Sequence, residues 1–171
     1  MEGKLVPWHR FRRELMYDLE VNNIMEVNLV SIRKLYFAIA YLTKWEKKRN
    51  LITHFGGAEP TIDQILCFMK DKVPDVTERK IVRSFYLSKM VVSLESDNSS
   101  REYTFMKWPE FIELMPRLAH FTFVDDEDDD KKYMILADKI RHVLDYLFPL
   151  IGERLIEPPD ILVVSESDDD Y

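Results

Sequence analysis

Apolar side chains recur at spacings of three and four residues along most of this chain, which is the period of an amphipathic helix. Prolines and short polar stretches interrupt the pattern. We therefore predict a mainly α fold with, at most, a small pairing of extended segments. The predicted helices cover 10–20, 26–44, 61–71, 77–90, 109–119 and 134–148.

The formal net charge of −7 arises from two acidic blocks. Residues 125–130 contribute six acidic side chains and residues 165–171 contribute four. Blocks of like charge repel one another and stay hydrated, so we expect a linker and a tail at these places. The chain then divides into an N-terminal helical segment (1–25), a central helical part (26–120), an acidic linker (121–133), a C-terminal helix with an extended arm (134–164), and an acidic tail (165–171).

Several classes of protein are excluded by what the chain lacks. Its four glycines cannot form the common phosphate-binding loops, and its one cysteine, Cys67, excludes an intrachain disulfide. Cys67 lies among apolar neighbours, so we expect a buried thiol. The four histidines do not have the spacing of a metal site, and no nucleophile motif is present. We therefore predict no enzyme activity, no metal and no cofactor. No apolar stretch reaches the roughly 20 residues that a membrane span requires, and we expect a cytoplasmic protein.

Residues 103–115 contain an apolar side chain, an aromatic, a glutamate and a second aromatic at fixed spacing: Met106, Trp108, Glu110 and Phe111. This pattern resembles the second half of an EF-hand, in which the glutamate closes the loop and the last aromatic opens the following helix. A fainter copy ends at Gln64. The stretches 85–92 and 108–119 are similar to divergent EF-hand modules of large ciliary and flagellar proteins, and the resemblance covers 26–120.

The resemblance implies two helix-loop-helix units, the second starting with helix 77–90, and EF-hand-like loops whose calcium sites are degenerate. A calcium loop of twelve residues needs oxygen ligands at alternate positions, a glycine at the sixth and a glutamate at the twelfth. Counted back from Glu110, the first, third, fifth and sixth places hold Ser99, Arg101, Tyr103 and Thr104. The loop that ends at Gln64 contains no carboxylate at the counted positions. We therefore expect no calcium binding. One departure from the family pattern is Pro116, which falls inside the second helix of this unit.

We accordingly predict a calcium-independent adaptor that binds a protein partner. The resemblance to ciliary and flagellar modules implies a location in the axoneme or the cytoskeleton. Two helix pairs would open an apolar groove for an amphipathic helix, either the chain's own helix 134–148 or one from another protein. Three basic side chains, Arg10, Arg12 and Arg13, would contact an acidic partner surface. The groove would be lined by Phe37, Tyr41, Phe68, Phe85, Met90, Phe111 and Met115.

The alternative hypothesis is a winged-helix protein that binds nucleic acid. Helices 61–71 and 77–90, followed by extended pieces at 91–95 and 101–105, fit a helix-turn-helix with a wing. The cations of its recognition helix would be Arg79, Lys80, Arg83 and Lys89. The acidic net charge disfavours a polyanion as partner, so this hypothesis ranks second. A catalytic domain of another fold ranks third, because the sequence nominates no residues for it.

Overall fold

A computed structural model of the chain describes residues 8–42, 44–46, 51–53, 59–89, 103–124 and 129–159. As predicted, the described part of the chain is mainly helical. The helices are α1 (Trp8–Phe11), α2 (Leu19–Val27), α3 (Leu29–Ala40), α4 (Ile62–Met69), α5 (Glu78–Ser88), α6 (Trp108–Phe123), α7 (Asp129–Tyr133) and α8 (Leu136–Leu147). The two strands are β1 (Lys44–Glu46) and β2 (Leu51–Thr53).

The N-terminal third contains more breaks than the periodicity predicts. In place of one helix over 10–20, α1 continues into a π-helical turn, Arg12–Met16, and the chain then breaks at Asp18. Asp18 caps α2, because its Oδ1 accepts a hydrogen bond from the amide of Glu20 at 2.9 Å. The helix predicted over 26–44 is also divided, at Asn28, and it ends at Ala40.

The helices in the middle of the chain begin where their capping residues predict. The hydroxyl of Thr61 accepts from the amide of Gln64 at 3.2 Å, and the Gln64 side chain accepts from the amide of Thr61, which confirms the predicted capping box. Thr77 caps α5 in the same way, through the amide of Lys80. Local side-chain chemistry is thus sufficient to set the start of both helices.

Two segments differ from the predicted loops and strands. The polar and basic stretch 45–60, with its Gly56-Gly57 pair, predicts a loop, but β1 begins at Lys44 and pairs antiparallel with β2, with Trp45 opposite Ile52. Residues 101–105 were expected to be extended, but Tyr103 and Thr104 have helical backbone geometry, and only Phe105 forms an isolated bridge, to Thr61. The predicted extended piece at 91–95 lies outside the described residues.

The longest described helix, α6, extends past its predicted end at 119. Pro109 lies in its first turn, where a missing amide proton costs nothing, and Pro116 is accommodated inside it. Phe121 and Phe123 form its last turn and are buried, although the sequence placed both in the acidic linker. Residues 129–133 of that predicted linker form α7.

The hydrophobic core lies between α3, α5, α6 and α8. The C-terminal helix α8 packs against α6 and α2, so it lies on its own chain. The fully buried side chains with the largest volume include Phe11, Ile32, Leu35, Phe85, Phe111 and Phe148.

The segment that follows α8 also lies on its own chain as far as it is described. After a short 3-10 helix, Phe148–Ile151, the backbone turns at Gly152, whose φ of 75° is a conformation that favours glycine. The Nδ2 of Asn28 donates to the carbonyl oxygen of Ile156 at 2.8 Å, and the Oδ1 of Asn28 accepts from the amide of Ile156 at 2.9 Å. The chain after α8 therefore contacts the start of α3 at Ile156, whereas the extended arm predicted from Pro158 to Val164 lies mostly outside the described residues.

Within the described ranges, the model has no helix with both the length and the apolar character needed to cross a bilayer.

Candidate functional site

The candidate site consists of two loop ends, one closed by Gln64 and the other by Glu110. We call α3, the connection 41–61 and α4 the first unit, and α5, the connection 89–107 and α6 the second unit. Gln64 and Glu110 are each the third residue of the helix that ends their unit, and both are buried. Each side chain accepts a hydrogen bond of 2.8 Å from the amide three residues earlier, that of Thr61 or Lys107. The two helix starts therefore have matching local geometry.

Gln64 links the second helix of the first unit to the end of its first helix. Its Nε2 donates to the carbonyl oxygen of Ala40 at 2.9 Å and to that of Leu42 at 3.1 Å. These carbonyls lie at the end of α3, where backbone acceptors lack a helical partner. The carboxamide thus closes the first unit with uncharged hydrogen bonds.

Glu110 makes the corresponding link in the second unit through Lys89, the residue that follows α5. The Nζ of Lys89 donates to Glu110 Oε2 at 2.8 Å and to the carbonyl oxygen of Phe105 at 2.5 Å. The Lys89 side chain is 9% exposed and that of Glu110 is 2% exposed. The second unit is therefore closed by a buried, hydrogen-bonded ion pair.

The two units meet through backbone atoms at matching positions. The amide of Met106 donates to the carbonyl oxygen of Pro60 at 2.9 Å, and each of these residues lies four positions before its loop-end residue. The hydroxyl of Tyr36 donates to the carbonyl oxygen of Met106 at 3.0 Å, so both backbone groups of Met106 are bonded. Burial, with the nearby Glu59 and Glu110 carboxylates, raises the pKa of Tyr36 to about 12, which keeps this donor protonated.

A metal site in a protein needs several ligating side chains close together. No cluster of three or more His, Cys, Asp or Glu side chains that could hold a metal occurs within the described parts of the chain. The connection between α5 and α6 spans residues 89–107, and the one between α3 and α4 spans 41–61.

The residues predicted to line a groove are separated by the fold. Phe85, Phe111 and Met115 are core side chains with at most 1% exposure, and Phe68 is half-buried. Phe37 and Tyr41 are exposed on α3, whereas Met90 lies outside the described residues. The six described members of this set therefore do not line one open groove.

Four side chains form an exposed stripe along α3 and the residue that follows it. We call this stripe the α3 outer face, and it consists of Val30, Arg33, Phe37 and Tyr41. Val30 is 69% exposed and Tyr41 is 66% exposed, and the Phe37 and Tyr41 rings stack at 6.4 Å. The Arg33 guanidinium lies 5.9 Å from the centres of both the Phe37 and Trp108 rings. The apolar spacing over 26–44 predicts Val30 on the buried face, but Val30 is exposed, and it lies with Arg33 at the spacing of three and four that leads to Phe37 and Tyr41.

The three arginines at the N-terminus have different surroundings. Arg10 and Arg13 are exposed and flank Glu14. Arg12 instead pairs with Glu113 of α6 at 2.6 Å, and Glu113 also pairs with the buried Arg117. Arg12 therefore contributes to the packing of the N-terminus on α6, and a basic surface of all three side chains is not present. Cys67, which we expected to be buried, is exposed.

Compared with known proteins, the chain matches no family model, no curated protein and no solved structure.

Proposed function

We propose that this protein is a calcium-independent adaptor, built from a pair of EF-hand-like units with degenerate loops, that binds a protein partner without a catalytic role. The equivalence of the two loop ends supports this arrangement. In both units the loop-end side chain bonds the amide three residues before it and reaches the end of the preceding helix. A location in an axonemal or cytoskeletal assembly is part of the proposal and rests on the sequence resemblance.

The observation that carries the adaptor function is the α3 outer face. Tyr41 is 66% exposed and Phe37 is 37% exposed, although neighbouring residues of the same helix are fully buried. Contiguous exposed apolar surface with a charged group at its edge is typical of protein-binding sites. Aromatic and arginine side chains are also those that contribute most to binding energy. An amphipathic helix of a partner, with an acidic residue to meet Arg33, fits this surface best.

Site-specific crosslinking tests the proposal. A photoreactive phenylalanine analogue at Tyr41 should crosslink a discrete protein in native lysate, whereas the same analogue at Tyr86, an exposed tyrosine on α5, should not. With the captured protein purified, Phe37→Ala and Tyr41→Ala should each weaken binding about tenfold or more, as truncation of an interface aromatic does. Tyr86→Ala is the matched control. Equal binding by all four proteins would contradict the assignment of the α3 outer face.

The winged-helix alternative receives less support from the surroundings of its cations. Lys80 donates to the carbonyl oxygens of Asp75 and Thr122, and Lys89 is buried against Glu110. The Arg83 guanidinium lies 4.3 Å from the centre of the Phe121 ring. A recognition helix needs such side chains free to reach phosphates and bases. Steeply salt-dependent binding to generic duplex DNA would nevertheless reverse this ranking.

A further inference from the structure

The ammonium group of Lys89 occupies a specific place relative to the second loop. In a twelve-residue calcium loop, the ion is bound by the backbone carbonyl of the seventh residue and by the carboxylate of the twelfth. Counted back from Glu110, the seventh residue is Phe105. Lys89 Nζ donates to the carbonyl oxygen of Phe105 and to the carboxylate of Glu110. One side chain therefore contacts both groups that would hold the ion.

We propose that Lys89 is a built-in cation that takes the place of a metal ion in the second unit. Its ammonium group would hold the second unit in one conformation at any calcium concentration. This inference rests on the proposed EF-hand-like arrangement. A calcium sensor changes the angle between its two helices when the ion binds or leaves. A covalently attached ammonium cannot diffuse away as a bound ion does, and its two hydrogen bonds join the end of α5 to the start of α6.

The charges of the loop agree with this assignment. The first, third and fifth positions hold Ser99, Arg101 and Tyr103, so Glu110 supplies the one carboxylate among the counted positions. The Lys89 ammonium pairs with the Glu110 carboxylate at 2.8 Å and so places a positive charge beside the residue that would close a calcium loop. The first unit follows the same rule, because Gln64 is neutral and its carboxamide donates to Ala40 and Leu42 where no cation is needed.

Neutral side chains should be able to replace the Lys89–Glu110 ion pair, because the neutral Gln64 side chain closes the first unit. Lys89→Met leaves the carboxylate of Glu110 buried without its ammonium and should raise the unfolding equilibrium constant about 100-fold or more. The double variant Lys89→Met with Glu110→Gln removes both charges, so it should recover at least about tenfold of that loss, since charge balance is restored. The matched control is Lys70→Met, which removes an exposed lysine 3.3 Å from Glu78 and should change the constant less than about fivefold.

The experiment is urea unfolding of the full chain and these three variants, combined with an isothermal calcium titration of the unsubstituted protein. A double variant no more stable than Lys89→Met, or a Lys89→Met variant no less stable than Lys70→Met, would overturn the built-in cation. If Lys89→Met does not fold, a folded double variant supports the proposal and an unfolded one contradicts it. Micromolar calcium binding would overturn both the calcium-independent adaptor and the built-in cation. Uncoupled charges without calcium binding would overturn the built-in cation alone, so the failures of the two proposals are distinguishable.

Discussion

Pro60 and Met106 are joined by one backbone hydrogen bond of 2.9 Å, and each lies four residues before the side chain that closes its own loop. Because proline has no amide proton, the reciprocal bond of an antiparallel pair cannot form here. The hydroxyl of Tyr36 bonds the carbonyl oxygen of Met106 instead. At this junction, hydrogen bonds between groups of the same chain join the two units.

Tyr36→Phe tests the contribution of that hydroxyl. The substitution keeps the ring against Trp108 and Phe111 but removes the donor to a buried carbonyl, so we expect a loss of about 1–2 kcal/mol in the free energy of unfolding. Tyr41→Phe, on the exposed end of α3, is the matched control and should change stability by less than about 0.5 kcal/mol. Urea unfolding at neutral pH measures both. Equal stability of the two variants would show that the bond to Met106 contributes nothing.

Glu113→Ala should be among the most destabilising single substitutions. Its carboxylate bonds Arg12 and the Arg117 guanidinium, and Arg117 is 1% exposed. Removing one partner of a buried ion pair typically costs about 3–5 kcal/mol, and the double variant with Arg117→Met should recover part of this loss because it removes the buried cation as well. A double-mutant cycle by chemical denaturation measures the coupling. Additive effects of the two substitutions would contradict the ion pair as the source.

Asn28→Ala should release the segment that follows α8. The Asn28 side chain bonds the carbonyl oxygen of Ile24 and both backbone groups of Ile156, and it is fully buried. We expect a loss of about 2–3 kcal/mol and faster hydrogen exchange at the Ile156 amide. Asn22→Ala, on the exposed face of α2, should leave both unchanged. Unaltered exchange at Ile156 in the Asn28 variant would mean that other contacts hold this segment.

The free energy of unfolding should decrease as the pH is lowered, because His120 has a lowered pKa in the folded chain. Burial, with repulsion from Lys139, Arg117 and Arg83, lowers the pKa of His120 from 6.5 to about 4. Between these values the unfolded chain binds a proton that the folded chain does not, so the free energy of unfolding decreases as the pH decreases.

From pH 7 to pH 5 this effect amounts to about 1–2 kcal/mol. Parallel urea titrations of the unsubstituted protein and His120→Gln measure it, and the variant should lose less stability over the same interval. An identical pH dependence in the two proteins would rule out His120 as the titrating group.

The sequence predicts those parts of the fold that depend on nearby residues. Thr61 with Gln64, and Thr77 with its first turn, set helix starts through bonds that span three residues, and both were found in the structure. The break at Asn28 was missed because no glycine or proline marks it. The side chain at this break bonds Ile156, 128 residues away, which local sequence does not reveal.

The candidate site shows the same division. Gln64 and Glu110 were identified as loop ends from local spacing. The ammonium that closes the second loop was assigned to a helix surface, because Lys89 and Glu110 are 21 positions apart and belong to different elements, so local spacing does not relate them. Arg12 was assigned to a partner for the same reason, since its carboxylate lies 101 residues away in α6. An ion pair between distant parts of the chain can be predicted only when it is known which helices pack together.

The central claim is that both loops are closed by groups of the chain itself and not by a metal ion. The most direct measurement is a two-dimensional ¹⁵N–¹H NMR titration with calcium chloride, followed at the amides of Thr61, Met106 and Lys107, with potassium chloride at equal ionic strength as the control. We expect these three resonances to stay in place up to about 1 mM calcium, well above the affinity range of calcium sensors. Saturable shifts of the Met106 and Lys107 amides at micromolar calcium would contradict it.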